Sequence, residues 1–324
     1  LPDPRERHPG VLATGTRGGK AGVGRGLDLD AGRRWARCGG ERSDVGAGPG
    51  RGATPAERFL PTRAAASFML DYVGSPADLD EEARLIRDTA RRFVDEQVRP
   101  DIGDHFQAGT FPTDLIPEMG ELGFYGSNLD GYGLPDVSET AYGVLMQELE
   151  ACDSGLRSMA SVQGALVMYP IHAYGSDEQK ERWLPDLGTG EAVGCFGLTE
   201  PDHGSDPSAM ETRAERDGDE YVLDGSKTWI TNAPIADVAV VWARDTSAEG
   251  RPVRGFLVET DRDGVTTNEI DDKLSLRASV TGEISLQNVR VPAENVLPGV
   301  SGMKGPLSCL TAARYGIAAV SSTP

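Results

Sequence analysis

The apolar pattern of this chain changes its period near residue 190, and this change constrains the fold more than any other feature. Before that point apolar side chains recur at helical spacing, as at Ile86, Ala90 and Phe93. After it, short runs rich in β-branched and aromatic residues are separated by polar turns, with no long helical run between them. We therefore predict an α+β fold in which a helical domain is followed by an antiparallel sheet or small barrel.

Local signals predict where individual elements begin and end. Asp78 with Glu81 resembles a capping box at the start of a helix that Pro100 stops. Pro185 is expected to end a helix that starts at residue 177, and Asp224-Gly225 is predicted to be a turn between two strands. The other predicted helices cover 112–122, 139–150, 158–173 and a run from 303 onwards. The other predicted strands cover 238–243, 255–259 and 283–291.

Composition divides the chain into four parts. Residues 1–66 are rich in Gly, Arg and Pro and show no helical or strand period, so we expect them to be disordered and to lie outside the folded unit. The helical domain then covers 67–190 and the β domain covers 191–304. Residues 305–324 begin a further helical segment.

Charge and cysteine usage exclude several classes of protein. The chain has 51 acidic and 32 basic residues, and the net charge of −19 argues against nucleic acid and anionic membranes as partners. Cys38, Cys152, Cys195 and Cys309 lie far apart in no metal-ligand spacing, which indicates free thiols in a reducing cytoplasm and no metal site. No apolar run is long enough to cross a membrane. These observations predict a cytoplasmic protein.

The most informative segment is the loop 196–205. Pro201 fixes one backbone angle, and Gly204 is expected to adopt a positive φ, so the chain can turn tightly here. The hydroxyls of Thr199 and Ser205 and several backbone N–H groups would then face a ligand with many acceptor atoms, such as a flavin. Taken alone, such a loop is more often an ordinary surface turn.

Other segments of the chain favour a flavin-binding loop over an ordinary surface turn. With the loop they make residues 70–318 resemble the acyl-CoA dehydrogenase family, and within it most the glutaryl-CoA dehydrogenases. The segments that carry the resemblance are 148–158, 174–179, 194–201, 206–213, 227–232, 274–281 and 313–317.

The resemblance implies an activity and its cofactor. In the family a carboxylate removes the α-proton of an acyl-CoA while the β-hydride passes to FAD, and the cofactor supplies the redox chemistry. In the glutaryl-CoA branch the product then loses CO₂ and becomes crotonyl-CoA. Electrons leave to an electron-transfer flavoprotein, and the complete enzyme is a homotetramer. Lysine and tryptophan degradation is the expected setting.

The resemblance also implies roles for individual positions. Trp229, Ile230 and Thr231 are expected to pack on the flavin ring, with the hydroxyl of Thr231 near N5. The predicted FAD-binding residues are Phe196, Gly197, Leu198, Thr199, Glu200, Pro201, Gly204, Ser205, Trp229, Ile230 and Thr231. The predicted acyl-CoA-binding residues are Glu150, Arg157, Ser158, Ser205, Leu274, Ser275, Leu276, Arg277, Ala278, Ser279 and Thr281. Trp229 could instead be a core residue of a strand, and Arg277 a surface cation.

Arg157 is predicted to select the substrate. A dicarboxyl substrate needs a cation at its far end, because a buried carboxylate without a partner is very costly. Arginine offers a planar fork for it, Ser158 can add a hydroxyl, and Glu150 is expected to tune the guanidinium. The alternative is an arginine at a helix start paired with Asp153.

The chain departs from the family pattern at its ends and in the loop 196–205, which we call the flavin loop. The family's C-terminal helical bundle is largely missing before Pro324, and with it the catalytic glutamate, so we assign no catalytic base and expect the chain alone to be inactive. His203 replaces a small residue and is predicted to be an exposed loop histidine without a catalytic role. Two alternatives to a glutaryl-CoA dehydrogenase stay open: a short-chain acyl-CoA dehydrogenase of other specificity, and a non-catalytic remnant that binds acyl-CoA.

Overall fold

Helices occupy the first part of the computed structural model, which describes residues 79–321. The predictions for residues 1–66 and for Asp78 lie outside the described residues. The helices are α1 (Glu81–Phe93), α2 (Ile102–Ala108), α3 (Leu115–Glu121), α4 (Glu139–Glu150), α5 (Ser154–Ser161), α6 (Tyr169–Tyr174) and α7 (Asp177–Thr189). Two segments are π-helical. The first, Val94–Val98, extends α1, and the second, Val162–Met168, joins α5 to α6.

The capping residues explain two of the helix boundaries. Asp80 caps α1, because its carboxylate accepts the N–H of Ala83 at 2.8 Å. The prediction that Pro185 ends a helix is wrong, since α7 continues through it to Thr189. Burial of Leu184 and Leu187 on either side of the proline keeps the helix intact. The helix stops instead at Gly190, whose φ of 75° gives a left-handed cap.

The second part is a curled, mixed sheet. Its strands are β1 (Gly194–Gly197), β2 (Arg213–Asp217), β3 (Glu220–Thr231), β4 (Val238–Asp245), β5 (Val253–Glu259), β6 (Val265–Glu269) and β7 (Thr281–Pro292). The strand order is β1-β4-β2-β3-β7-β6, with β5 on the other edge of β4. The predicted antiparallel pairing holds for β2–β3, β3–β7, β4–β5 and β6–β7, whereas β1 and β2 run parallel to β4.

The predicted Asp224-Gly225 turn is wrong, because both residues lie inside the single long strand β3. β3 pairs with β7 on both sides of this point, and the register shifts between Leu223 and Gly225. A side chain at Gly225 would meet Thr212 at 2.4 Å, so the glycine marks a close backbone approach at a bulge.

The two faces of the sheet are buried differently. Along β4, Val238, Val240 and Trp242 belong to the core that the helices share, while Ala239 and Val241 belong to a second core enclosed by the sheet itself. A last helix, α8 (Lys304–Ser321), packs on α4, where Tyr315 stacks on Tyr142 with ring centroids 6.1 Å apart. No helix in the described part of the chain is long and apolar enough to span a bilayer.

Two buried glutamines join the helices to the sheet. In the π-helical segment, the amide of Gln163 donates to the carbonyls of Leu187 and Ala192 at 2.9 and 2.7 Å. Its oxygen accepts the N–H of Gly194, the first residue of β1, at 2.8 Å. On α7, Gln179 donates to the carbonyls of Glu294 and Val296 at 2.6 and 3.0 Å.

Replacing Gln163 with leucine is therefore expected to destabilise the junction strongly. Each backbone group left unpaired in this buried place costs about 1–3 kcal/mol. Urea unfolding should show a clear fall in the midpoint, whereas Gln287→Leu, at an exposed position of β7, should behave like wild type. Equal losses in the two variants would contradict a specific role for Gln163.

Candidate functional site

A cleft of about 380 Å³ opens where β1, the end of β3, the second π-helical segment and α8 meet. This volume lies within the range of about 300–1,000 Å³ that is typical of small-molecule sites. Eight residues predicted to bind a flavin line it: Phe196, Leu198, Thr199, Gly204, Ser205, Trp229, Ile230 and Thr231. The sequence analysis missed six others: Val162, Leu166, Pro207, Leu307, Leu310 and Arg314.

Trp229 is the aromatic wall of the cleft. Its φ of 58° is left-handed, and the register of β3 against β7 shifts between Lys227 and Ile230. This irregularity turns the indole out of the sheet, so that 62% of the residue is exposed. Trp229 is therefore not the core residue that a tryptophan in a strand would usually be. A bulky residue in this backbone region is strained, and such strain is common at ligand sites.

Three residues that line the cleft carry hydroxyls without a hydrogen-bond partner in the described part of the chain. The side chains of Thr199, Ser205 and Thr231 line the cleft, and their hydroxyls form no hydrogen bond with any residue that the structure describes. Each hydroxyl can donate one hydrogen bond and accept others. Together with the exposed indole, these groups suit a flat ligand with a polar edge.

The flavin loop differs from its prediction at Gly204 and His203. Gly204 does not adopt a positive φ, and the space beside it is open. The turn is closed one residue earlier, where the backbone groups of Glu200 and His203 pair at 3.2 and 3.4 Å. His203 is not exposed as expected: its side chain is only 21% exposed, and its Nε2 lies 3.7 Å from a carboxylate oxygen of Glu211.

Gly197, Glu200 and Pro201 do not line the cleft. Glu200 turns inward, where a carboxylate oxygen lies 2.8 Å from the Nζ of Lys227. Burial acts to raise the pKa of Glu200, but hydrogen bonds from Glu211 N–H and Lys227, with the charge of Lys227, outweigh it and hold that pKa at about 2. Burial lowers the pKa of Lys227 to about 8, against the opposing effect of Glu200.

Arg157 meets Glu150, as predicted, and not Asp153. The Nε of Arg157 lies 2.7 Å from Glu150, whose other oxygen accepts the hydroxyl of Ser154 at 2.6 Å. Asp153 instead caps α5 through the N–H of Gly155. Arg157 is only 13% exposed, and its two terminal nitrogens have no partner within the described chain. Arg157, Ser158 and Glu150 do not line the cleft.

The segment 274–281 does not present a cationic surface, because Arg277 makes contacts within the fold. Its guanidinium donates to the carbonyls of Phe106, Gln107 and Lys273 at 2.9–3.0 Å, so it binds the C-terminal end of α2 to the β domain. None of this segment lines the cleft. Leu274, Ser275 and Leu276 are exposed, whereas Ala278, Ser279 and Thr281 are buried.

Arg314 is the functional candidate that sequence reasoning overlooked. It lies on α8, lines the cleft and forms no hydrogen bond or ion pair with any described residue. A free guanidinium at the cleft favours an anionic ligand. Arg314 belongs to the segment 313–317, which carries part of the family resemblance. Nothing in that segment alone showed that α8 would reach the cleft.

Comparison with known proteins identifies two domains by family. Residues 80–191 match the model for the acyl-CoA dehydrogenase N-terminal domain, and residues 195–289 match the model for the middle domain. Together these regions make up most of the chain that the structure describes.

Three similar proteins illustrate the relationship. The mitochondrial short-chain specific acyl-CoA dehydrogenase of Rattus norvegicus is 35% identical over 256 residues, which are 77% of this chain and 61% of that protein. A glutaryl-CoA dehydrogenase from Mycobacterium smegmatis, solved in complex with FADH2, is 50% identical with a TM-score of 0.75, over 78% of this chain and 64% of that one. A chain from a structure of an electron transferring flavoprotein of Acidaminococcus fermentans is 34% identical with a TM-score of 0.71, over 75% of this chain and 65% of that one. The present chain thus spans less than two thirds of these relatives.

The low pKa of Glu200 predicts how its contribution to stability depends on pH. Because that pKa falls from 4.5 to about 2 on folding, the stabilisation is fully present above about pH 4.5 and is lost as the pH falls toward 2. The free energy of unfolding should therefore differ between wild type and Glu200→Gln by on the order of 3 kcal/mol at pH 5, since each pKa unit is worth about 1.4 kcal/mol.

Urea unfolding at several pH values between 5 and 2 measures this difference, which should shrink steadily on acidification. Glu215→Gln, at an exposed position of β2, is the control. A difference between wild type and Glu200→Gln that stays constant down to pH 2 would mean that the ion pair leaves the pKa of Glu200 unchanged.

Proposed function

Because the chain belongs to the acyl-CoA dehydrogenase family, we propose that it carries the FAD-binding and acyl-CoA-binding part of an enzyme that dehydrogenates an acyl-CoA. The observation that carries this proposal is the cleft, which combines the exposed ring of Trp229 with the hydroxyls of Thr199, Ser205 and Thr231, none of which has a partner among the described residues. The proposed domain bounds are those predicted from the sequence: 67–190 for an N-terminal helical domain, 191–304 for a domain that binds flavin and acyl-CoA, and 305–324 for the start of a C-terminal helical domain.

The cleft fits a flavin in shape and in chemistry. An isoalloxazine ring has a flat face for the indole of Trp229 and a polar edge for the three hydroxyls. FAD, when bound, supplies the two-electron acceptor that dehydrogenation of a thioester requires. The protein residues orient the ring, while Leu198, Ile230 and the apolar side chains of α8 keep water from it.

Glutaryl-CoA is the proposed substrate. Glu150 holds the Nε of Arg157 and leaves the two terminal nitrogens available, which is the arrangement that a bidentate carboxylate needs. The identity of 50% with the glutaryl-CoA dehydrogenase of Mycobacterium smegmatis supports this assignment. The complete reaction would then be oxidative decarboxylation to crotonyl-CoA and CO₂.

Short-chain acyl-CoA dehydrogenation is the second candidate. The rat enzyme with that specificity matches over 256 residues, and Arg157 lies outside the cleft lining. If Arg157 and Glu150 form only a structural ion pair, a monocarboxylic substrate needs no cation there. A non-catalytic chain that binds acyl-CoA is the third reading.

Several features of the complete protein are also proposed from relatives. An electron-transfer flavoprotein as electron acceptor is supported by the match to a chain from the Acidaminococcus fermentans structure. A homotetramer follows from the family resemblance. A cytoplasmic location is consistent with Cys152, Cys195 and Cys309, which are all free thiols.

The described residues offer no catalytic base at the cleft. Glu200 is adjacent to it, but both of its oxygens point inward and its pKa of about 2 makes it a poor proton acceptor. We therefore assign the carboxylate that removes the α-proton to no residue of this chain.

Fluorescence of Trp229 tests FAD binding. Stacking of a flavin on the exposed indole should quench tryptophan emission during a titration with FAD, and Trp229→Phe should reduce that quenching. Part of the quenching should remain, because Trp242 contacts the cleft residue Phe196. Trp183→Phe is the matched control, because Trp183 packs under Arg182 and not at the cleft. If FAD does not change the emission of wild type, or if Trp229→Phe is quenched as strongly as Trp183→Phe, Trp229 does not stack on the flavin.

Arg157→Met tests the choice of substrate. In wild type, the unfolding temperature of the FAD-loaded chain should rise more with glutaryl-CoA than with butyryl-CoA, since a ligand that binds the folded state raises its stability. Removal of the guanidinium leaves the distal carboxylate unpaired, a loss of about 2–5 kcal/mol in binding, so the preference should disappear.

The control is Arg99→Met, because Arg99 is exposed and pairs with Asp95. An unchanged preference in Arg157→Met would favour the short-chain reading.

A further inference from the structure

The buried ion pair of Lys227 and Glu200 lies directly behind two walls of the cleft. Glu200 follows Thr199 in the loop after β1, and Lys227 precedes Trp229 by two residues on β3. We define the walls as 198–205 and 228–231. Glu200 thus belongs to the first wall and Lys227 directly precedes the second, although neither side chain lines the cleft.

The two charged groups form hydrogen bonds with each other, with the first wall and with residues 211–212. The Nζ of Lys227 donates to Glu200 at 2.8 Å and to the carbonyl of Leu198 at 3.2 Å. The carboxylate of Glu200 also accepts the backbone N–H groups of Glu211 and Thr212 at 2.6 and 3.0 Å. A backbone bond from Thr228 N–H to the carbonyl of Thr199, 2.9 Å long, joins the walls beside the ion pair.

The packing leaves the lysine little freedom. Lys227 is 0% exposed and Glu200 is 5% exposed. A Cβ on Gly197 would meet the Cγ of Lys227 at 3.3 Å, so the absence of a side chain at Gly197 makes room for the lysine stem. This accounts for a glycine in the predicted flavin motif that does not line the cleft.

Stability alone is a weak reason for such an ion pair. A buried ion pair often contributes no more than well-packed apolar residues of similar volume, whereas its directional bonds specify one geometry. Here those bonds link the two segments that carry Thr199, Trp229 and Thr231.

We propose that Lys227 and Glu200 are positioning residues, whose ion pair fixes the spacing and orientation of the two walls on which the flavin ring rests. The proposal rests on the proposed function, because that function supplies FAD as the ligand. The contacts of Lys227 and Glu200 themselves exist without FAD. Glu200 is accordingly a support of the flavin loop and not a flavin ligand.

A double replacement separates positioning from plain stability. Lys227→Met or Glu200→Gln alone leaves one buried charge without its partner and is expected to lower stability. The double variant Glu200→Gln/Lys227→Met removes both charges and should regain much of that stability, because the introduced carboxamide still has an oxygen for the backbone N–H groups.

The double variant should nevertheless bind FAD at least tenfold more weakly than wild type, measured by absorbance titration, and the spectrum of its bound flavin should shift. Arg91→Met/Glu148→Gln is the matched control, since it removes another largely buried ion pair, between α1 and α4, away from the cleft. It should keep the affinity for FAD and the spectrum. A double variant that binds FAD with wild-type affinity and spectrum would overturn the proposal.

Amide hydrogen exchange in the absence of FAD tests the same contacts independently of the ligand. The N–H of Thr228 should exchange faster in the double variant than in wild type, while amides of β4 should not. If wild type fails to bind FAD, the proposed function fails, and the exchange result alone decides on the ion pair. Unchanged protection of Thr228 would then overturn the positioning role.

Discussion

The cleft depends on how the helices are joined to the sheet, and two buried glutamines make that junction. Gln163 binds the chain on either side of the crossing from α7 to β1, and the residues next to it in the same π-helical segment, Val162 and Leu166, line the cleft. A carboxamide can satisfy donors and acceptors at once, which an apolar residue in this place could not do. The extra residue of the π-helical turn presents the amide to the junction and the apolar side chains to the cleft.

The sequence predicted a helical part, a following sheet and a last helix, because the apolar period is a local property. It failed where a tertiary contact overrides a local signal. Pro185 did not end α7, because leucines on both sides of it are buried. Asp224-Gly225 was taken for a turn, but the glycine is needed for the approach to Thr212. The strands β1, β2 and β6 were not predicted, since runs of four or five residues give little periodic signal.

The candidate site was also predicted only in part. The flavin loop and the segment 229–231 converge as expected, and Arg157 has the partner that was foreseen. Sequence cannot show which way a charged side chain turns, so Glu200 and Arg277 were assigned to ligands although both are used inside the fold. Arg314 was missed because its place at the cleft depends on how α8 docks.

The left-handed backbone at Trp229 has a consequence for the balance between free and ligand-bound protein. An L-residue in this conformation is less stable by roughly 1–2 kcal/mol, a penalty that glycine would avoid. The exposed indole recovers little of that penalty while it faces water, since it buries little of its own surface. The packing of the rest of the fold must therefore offset this penalty before any ligand is present. The folded protein therefore already holds the indole in its exposed orientation, and a flat ligand does not have to meet the cost of ordering that ring when it binds.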